Sequence, residues 1–228
     1  MTHGTISTVD ARRAICATNA SVEMQFLSII DLLNATPELR PTLRKKEASN
    51  GVGAAFVDAL ARQFVESRTP RPPKVPQTLP DAVVGLILNG YYRVAPTRIR
   101  EISDTHLLSM ASENIVGDVL ERYIASVLEP VGWVWCSGSS VKSVDFYRPK
   151  QSCASPLLLQ VKNRDNSENS SSSAIRNGTT IEKWFRSFSR RAATNWGAFP
   201  DPAGQKLLSE EGFCDFVKRY IAGLPPKA

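Results

Sequence analysis

Apolar residues recur at helical spacing in two stretches of the first third of the chain. Over residues 20–34 they return every three or four positions, and the same period appears again over residues 54–65. Apolar residues at this spacing line one face of an α-helix. The pattern therefore predicts two helices that pack against a core, and Pro37 with Pro41 ends the first of them.

Prolines dominate the stretch that follows these two helices. Thr69 to Pro80 reads TPRPPKVPQTLP, and its five prolines remove backbone donors and favour an extended path. We expect a strap or linker here. It would separate a helical N-terminal section, residues 1–80, from residues 81–228, although both sections could belong to one domain. The apolar segment 82–88 is ambiguous between a short helix and a strand.

The middle of the chain predicts two consecutive helices. Residues 97–110 have helical spacing, and Ser112 is a candidate N-cap for a second helix from Glu113 to Glu129. The apolar stripe of this second helix is too broad for a free surface helix, so it should cover a sheet or a core. Gly117 and Glu121 share one side of it, one turn apart.

Three strand-like runs follow, with a turn between the first two. Residues 131–136 and 144–147 are rich in β-favouring side chains, 137–140 reads as a turn, and 156–159 is a continuous apolar run. A helix is therefore followed by three strands in the second half of the chain. This combination of helices and strands predicts an α/β fold.

Polar residues lie at the ends of two of these predicted strands. One strand ends in Asp145, and the apolar run ends abruptly in Gln160 and Lys162. Because side chains alternate along a strand, Gln160 and Lys162 should share one face while Val161 points into the core. If the two strands are neighbours, Asp145 joins the two polar side chains.

A serine-rich loop of low hydrophobicity and a basic stretch come next. Thr180 is a candidate N-cap for a helix over residues 181–193, whose apolar residues would face a core. The segment from Arg176 to Arg191 holds five basic residues against one acidic residue, which is the densest basic run of the chain. A last amphipathic helix is predicted over residues 204–223.

The composition is that of an ordinary globular protein, and it removes several rival chemistries. The 228 residues are 42% hydrophobic with a net charge of +6, which suits a sizeable core and a polyanionic partner. No apolar run is long enough to span a membrane, and the polar start lacks a secretory signal, so we expect a cytoplasmic protein. Four cysteines without a CxxC pair favour reduced thiols. The two histidines are too few for histidine-based nucleases, and Walker, GxGxxG and GxSxG motifs are absent.

The polar residues at the strand ends suggest a magnesium site. The carboxylate of Asp145, the amide oxygen of Gln160 and the main-chain oxygen of Val161 are hard oxygen ligands of the kind that Mg²⁺ prefers. Lys162 would orient an attacking water and stabilise charge that develops on a phosphodiester. Glu121 would supply a second carboxylate, through a bound water or by holding a second metal.

These residues carry a resemblance to a known family. Gly117-x3-Glu121 followed by Asp145-x14-Gln160-x-Lys162 resembles the motif of the PD-(D/E)xK nuclease superfamily, and the similarity covers roughly residues 113–164. Valine stands at position 144, where the motif has proline. Gln160 stands where most members have Asp or Glu, although the superfamily includes active restriction enzymes with a Q-x-K element.

The resemblance implies both a fold and an activity. The fold would be a restriction-endonuclease-like core, with a mixed central β-sheet flanked by helices and a helical N-terminal section. The activity would be that of a Mg²⁺-dependent type II restriction endonuclease, acting as a homodimer on double-stranded DNA beside a cognate DNA methyltransferase. Small enzymes that read GG(A/T)CC sites are the group it most resembles.

The basic stretch and the polar loop would then contact DNA. Basic side chains bind phosphates and amide side chains can read base edges. The candidates are Asn163, Arg164, Asn166 and Asn177 for bases, and Arg176, Lys183, Arg186, Arg190 and Arg191 for phosphates.

Three alternatives stay open from the sequence. A structure-specific nuclease such as a Holliday-junction resolvase could carry the same motif. A non-catalytic DNA-binding module could keep Gln160 as the trace of a decayed site. A structural α/β core with an incidental salt bridge would explain the same residues without any chemistry.

Overall fold

The computed structural model describes residues 4–43, 52–149, 156–165 and 179–225. Its N-terminal section includes the helices α1 (Thr8–Asn19), α2 (Glu23–Ala35) and α3 (Ala54–Glu66). The predictions of α2 and α3 are confirmed. The sequence pattern missed α1, which buries only Ala11, Ala14 and Ile15 and therefore has a short apolar stripe.

Residues 70–81 form neither a helix nor a strand, in agreement with the predicted strap or linker, and lead into a short helix. This helix, α4 (Ala82–Gly90), resolves the ambiguous apolar segment in favour of a helix. Its N-cap is Asp81, whose carboxylate accepts a hydrogen bond from Val83 N at 2.9 Å.

The two helices predicted in the middle of the chain are one continuous helix, α5 (Pro96–Leu128). Its 33 residues span about 50 Å. The prediction that Ser112 starts a new helix is wrong. Ser112 Oγ donates to Leu108 O at 2.9 Å, and a serine hydroxyl satisfied in this way does not end a helix.

Four strands form the described sheet in the order β1 (Val134–Trp135), β2 (Phe146–Arg148), β3 (Leu157–Arg164) and β4 (Ile181–Ser187). The pairs β1–β2 and β2–β3 are antiparallel, whereas β3–β4 is parallel. The sheet is therefore mixed, as predicted. Asp145 comes just before β2 and does not end a strand as expected.

The prediction of a helix over residues 181–193 is wrong, because residues 181–187 form β4. Ile181 and Trp184 are buried, and three-residue spacing fits a helix as well as opposite faces of a strand. Pairing with β3 decides between them, from Leu158↔Ile181 to Arg164↔Ser187. The basic residues Arg190 and Arg191 therefore follow a strand in a turn region.

Helices cover both faces of the sheet and create two hydrophobic clusters. The first cluster packs α1, α2 and α3 against side chains that include Tyr147, Leu158 and Ile181. The second cluster packs α5 and the C-terminal helices against Phe146, Leu159, Val161 and Trp184. This arrangement of a mixed sheet between helices confirms the predicted restriction-endonuclease-like α/β fold.

The C-terminal region contains α6 (Pro202–Leu207) and α7 (Glu210–Ala222), where one helix was predicted. The chain is extended at Leu208 and Ser209, and Ser209 Oγ caps α7 by accepting from Gly212 N at 3.0 Å. Within the described ranges, no helix is both long and apolar enough to cross a membrane.

Candidate active site

Asp145 and Gln160 lie opposite each other at the start of the β2–β3 pair. Phe146 pairs with Leu159, so the preceding Asp145 faces Gln160 across the two strands. Asp145 N donates to Leu159 O at 2.8 Å, and Val161 N donates to Asp145 Oδ2 at 2.7 Å. These two hydrogen bonds hold the carboxylate against β3.

Gln160 is buried, with an exposed fraction of 4%. Its amide oxygen has no hydrogen-bond partner among the described residues. A buried polar atom without a partner costs about 1–3 kcal/mol, so folded proteins rarely leave one without a reason. An unpartnered carbonyl oxygen beside a carboxylate is a fitting ligand for a cation.

Lys162 and Val161 follow the strand alternation that the sequence predicts. Val161 is buried in the second cluster, and Lys162 is half-buried on the face that carries Gln160. The ammonium group of Lys162 lowers the pKa of both Asp145 and Glu121, so it lies within electrostatic reach of both carboxyl groups.

Glu121 reaches the same site from α5. Trp135 Nε1 donates to Glu121 Oε2 at 2.9 Å, which fixes the carboxylate over the edge strand β1. The Trp135 ring is itself held by two guanidinium groups, with Arg68 at 5.1 Å and Arg122 at 5.3 Å from its centroid. Glu121 is therefore preorganised by contacts that link α5, β1 and the residues that follow α3.

The two carboxyl groups bind protons more tightly than ordinary acids. Burial, with the nearby charge of Asp145, raises the pKa of Glu121 to about 8. Burial also raises the pKa of Asp145 to about 6, against the opposing effects of the Val161 N–H group and Lys162. The positive charge that the protein places near these two carboxyl groups is therefore too small to keep both ionised. A divalent cation would supply the missing charge.

A cleft of about 400 Å³ opens onto Glu121 and Asp145. Gly117 lines it one turn before Glu121, and a Cβ atom at Gly117 would meet no heavy atom within 4 Å. The glycine therefore keeps this wall of the cleft open. Arg71 and Asp118 complete the mouth of the cleft.

Arg122 ties the start of the proline strap to α5. Its guanidinium donates to the main-chain oxygens of Ser67, Arg68 and Thr69 at 2.7–2.9 Å and to Asp118 at 2.8 Å. Asp118 also accepts from Arg71 at 2.9 Å, while the Arg71 side chain remains 62% exposed. The strap thus presents a cation at the mouth of the cleft.

Sequence reasoning missed this supporting group, which consists of Arg71, Asp118, Arg122 and Trp135. Asp118 and Arg122 are one turn apart around Glu121, a spacing typical of a helical ion pair, and this was a usable signal. Trp135 and Arg71 meet Glu121 and Asp118 only through tertiary packing. No sequence spacing predicts those contacts.

The site has fewer carboxylates than many metal centres. Within the described part of the chain, no group of three or more His, Cys, Asp or Glu side chains forms a metal cluster. The candidate ligand set therefore depends on two carboxylates together with amide and main-chain oxygens.

Comparisons with known proteins show which family this chain resembles. The family model of the SinI restriction endonuclease matches residues 6–223. The chain is 50% identical over 212 residues, 92% of either chain, to the type II restriction enzyme Eco47I of Escherichia coli. It is 49% identical over 204 residues, 89% of either chain, to the type II restriction enzyme SinI of Salmonella infantis.

The chain belongs to the SinI restriction endonuclease family. This confirms the prediction of a restriction endonuclease, and the site geometry is consistent with the PD-(D/E)xK resemblance.

Eight of the nine predicted DNA-binding residues of this SinI-family chain fall into three groups, and the ninth, Asn163, contacts Arg186. Asn166, Arg176 and Asn177 lie outside the described residues. Arg164, Arg186, Arg190 and Arg191 line one concave surface beyond the C-terminal ends of β3 and β4. Lys183 pairs with Gln160 in the parallel β3–β4 register and is half-buried, so it lies deeper than a surface phosphate contact would suggest.

Three of the predicted DNA contacts are engaged within the protein. Arg186 Nε donates to Asn163 Oδ1 at 3.0 Å, and the same guanidinium pairs with Glu210. Arg191 lies over the ring of Phe188, with its guanidinium carbon 3.5 Å from the centroid. Arg164 and Arg190 are exposed and are the more available cations of this concave surface.

Proposed function

We propose that this chain is a Mg²⁺-dependent type II restriction endonuclease that hydrolyses phosphodiester bonds at a specific double-stranded DNA sequence. One observation carries the proposal. Glu121 and Asp145 share a cleft with raised pKa values, next to the unpartnered amide oxygen of Gln160 and within reach of Lys162. Family membership supports the same activity.

The residues present fit a magnesium ion. Asp145, Gln160 and the main-chain oxygen of Val161 would hold it, and Glu121 would act through a bound water or hold a second metal. When bound, Mg²⁺ supplies Lewis-acid chemistry by neutralising phosphate charge and making water a stronger nucleophile.

The chain's own groups supply orientation and charge. Lys162 would donate a hydrogen bond to the attacking water and to the scissile phosphate, because its half-buried ammonium lies beside the carboxylates. Glu121, whose side chain lines the same cleft, would accept a proton from the attacking water when it is ionised. The Trp135 hydrogen bond would hold Glu121 in the orientation that this requires.

The remaining parts of the function concern the substrate and partners. We propose that Arg176, Lys183, Arg186, Arg190 and Arg191 contact phosphates, and that base edges are read from among Asn163, Arg164, Asn166 and Asn177. The target would be a GG(A/T)CC site, protected by a cognate DNA methyltransferase in the cytoplasm. The enzyme would be a homodimer, since a near-palindromic site presents one scissile bond on each strand.

Cleavage of long duplex DNA with Mg²⁺ tests the proposal. Discrete fragments are expected from the wild type and from Lys142→Ala, an exposed lysine outside the cleft, but not from Asp145→Ala or Lys162→Ala. Cleavage of branched DNA alone would favour a junction resolvase. Tight binding without cutting would favour an inert DNA-binding module, and undiminished cutting by Asp145→Ala would refute the assigned site.

A further inference from the structure

The segment from residue 70 to residue 110, here called the arm, contains no buried residue. It comprises the proline strap, α4 and the first half of α5. Eight of its large apolar side chains are more than half exposed, with Leu79 at 93%, Tyr91 at 78% and Leu86 at 72%. The others in this condition are Val83, Val84, Ile87, Tyr92 and Leu108.

The described part of the chain buries no residue of the helix α4. Its sequence AVVGLILNG is apolar around most of its circumference, and such helices are found covered on all sides. An isolated helix shorter than about 12–15 residues is marginal in water. Its neighbour in the described structure is α5, where Gly85 lies close to Ile99.

An apolar groove of about 400 Å³ runs between α4 and α5. Leu79, Val84, Leu88, Leu107 and Met110 line it. With roughly 150–250 Å² for each aromatic side chain and somewhat less for each aliphatic one, the exposed apolar residues offer on the order of 1,000 Å². Summed over these side chains, the exposed area reaches the roughly 800 Å² that each partner buries in a stable complex.

Neither the rest of this chain nor DNA is a good occupant for this surface. The segments outside the described residues are rich in serine, asparagine and lysine, and their large aliphatic side chains are limited to Met1 and Ile175. DNA is a polyanion that binds basic surfaces, whereas α4 carries no charged side chain, so DNA does not match the apolar surface of α4. The basic residues of the arm, Arg71 among them, lie outside α4.

We infer that the arm is the surface through which two copies of this chain associate. A two-fold interface is self-complementary, and an all-round apolar helix with an adjoining groove can give and receive the same contacts. Arg100 and Asp104 are exposed one turn apart on α5, so two copies of α5 that cross in antiparallel fashion can set arginine against aspartate in both directions.

The position of the arm on α5 gives this association a mechanical consequence. From Ile102 in the arm to Glu121 in the cleft is about 28 Å along one unbroken helix. A dimer joined at the arm would therefore set the distance between its two clefts through two stiff helices. The inference rests on the proposed function only for the use of two clefts, one for each strand.

Sedimentation or light scattering at micromolar concentration tests the inference. The wild type is expected at twice the mass of one chain, and Leu86→Glu/Ile87→Glu is expected to weaken self-association by roughly 30-fold or more. The matched control is Met24→Glu, because Met24 is 83% exposed on α2, outside the arm, and this variant should stay dimeric. Circular dichroism verifies the fold, and Tyr91→Glu serves as a second arm variant if the double variant unfolds.

Each result supports or overturns the arm interface. A monomeric wild type, dimeric arm variants, or dissociation by Met24→Glu as well would overturn it, and so would a monomer that binds neutral lipid vesicles through the arm. A dimer that depends on the arm but cuts no DNA would leave the interface standing and refute the proposed function. A monomer that cuts both strands would refute the arm interface and leave the proposed nuclease activity standing.

Discussion

At the scale of single residues, Glu121 and Asp145 make the metal-free site costly at neutral pH. Their raised pKa values, about 8 and about 6, mean that the folded chain keeps protons that the unfolded chain releases above about pH 4. By linkage, their contribution to stability is greatest below that pH and falls as the pH rises through the folded-state values. The two acids therefore destabilise the metal-free fold at neutral pH, and we attribute their presence to function.

A neutral substitution should therefore stabilise the metal-free chain. We expect Glu121→Gln to raise the free energy of unfolding by on the order of 2 kcal/mol at pH 8 and by much less near pH 4.5. Gln can still accept the Trp135 hydrogen bond, so the local structure is kept. Urea unfolding in chelator at both pH values measures this, with Glu113→Gln on the exposed side of α5 as the control. A loss of stability at pH 8 would contradict it.

A substitution at Gln160 can distinguish an effect on stability from an effect on cleavage activity. Replacing its unpartnered amide with the similarly shaped, apolar Met removes an unsatisfied atom, so we expect Gln160→Met to fold with stability equal to or above that of the wild type. If the amide oxygen is a ligand, cleavage should fall by roughly 100-fold or more. The two measurements are thermal unfolding in chelator and initial cleavage rate with Mg²⁺. A destabilised variant with normal cleavage would mark Gln160 as structural.

At the scale of elements, the sequence predicted the helices and strand faces that depend on local periodicity. It failed for the element whose type is determined by strand pairing. The 3.6-residue period located α2 and α3, and strand alternation placed Gln160 and Lys162 on one face with Val161 in the core. The spacing of Ile181 and Trp184 fits a helix, but pairing with β3 makes a strand. Pairing partners lie far apart in sequence, so no local pattern contains that information.

The proline strap is the element whose functional contribution could not be predicted, and Arg71 tests it. Its exposed guanidinium at the mouth of the cleft should contact a DNA phosphate. We expect Arg71→Ala to weaken DNA binding and to reduce the slope of log affinity against log salt by about 1, while Arg71→Lys keeps the slope. Arg12→Ala on the exposed side of α1 is the control. An unchanged salt slope in Arg71→Ala would exclude the contact.

At the scale of the whole molecule, the site lies where the two hydrophobic clusters meet. Asp145 and Gln160 lie on the sheet face that carries Tyr147 and Leu158, which the N-terminal helices cover, whereas Glu121 comes from α5 on the other face. The position of one carboxylate relative to the other thus depends on both layers. Only the complete fold places the two acids together. Sequence spacing could therefore identify Glu121 and Asp145 as candidates, but it could not predict how they are positioned relative to each other.

The last prediction concerns how two such molecules share one DNA site. If each copy cuts one strand, a dimer with one wild-type chain and one Asp145→Ala chain should nick supercoiled plasmid and not linearise it, because Asp145→Ala removes one cleft and leaves the arm intact. Wild-type chain refolded with excess Asp145→Ala chain, followed on agarose gels, should therefore give mainly open circles. The same mixture made with the arm variant Leu86→Glu/Ile87→Glu/Asp145→Ala should leave much more linear product, since that chain is expected to join the wild type roughly 30-fold more weakly. If the first mixture instead gives as much linear product as the same amount of wild-type chain alone, one chain cuts both strands.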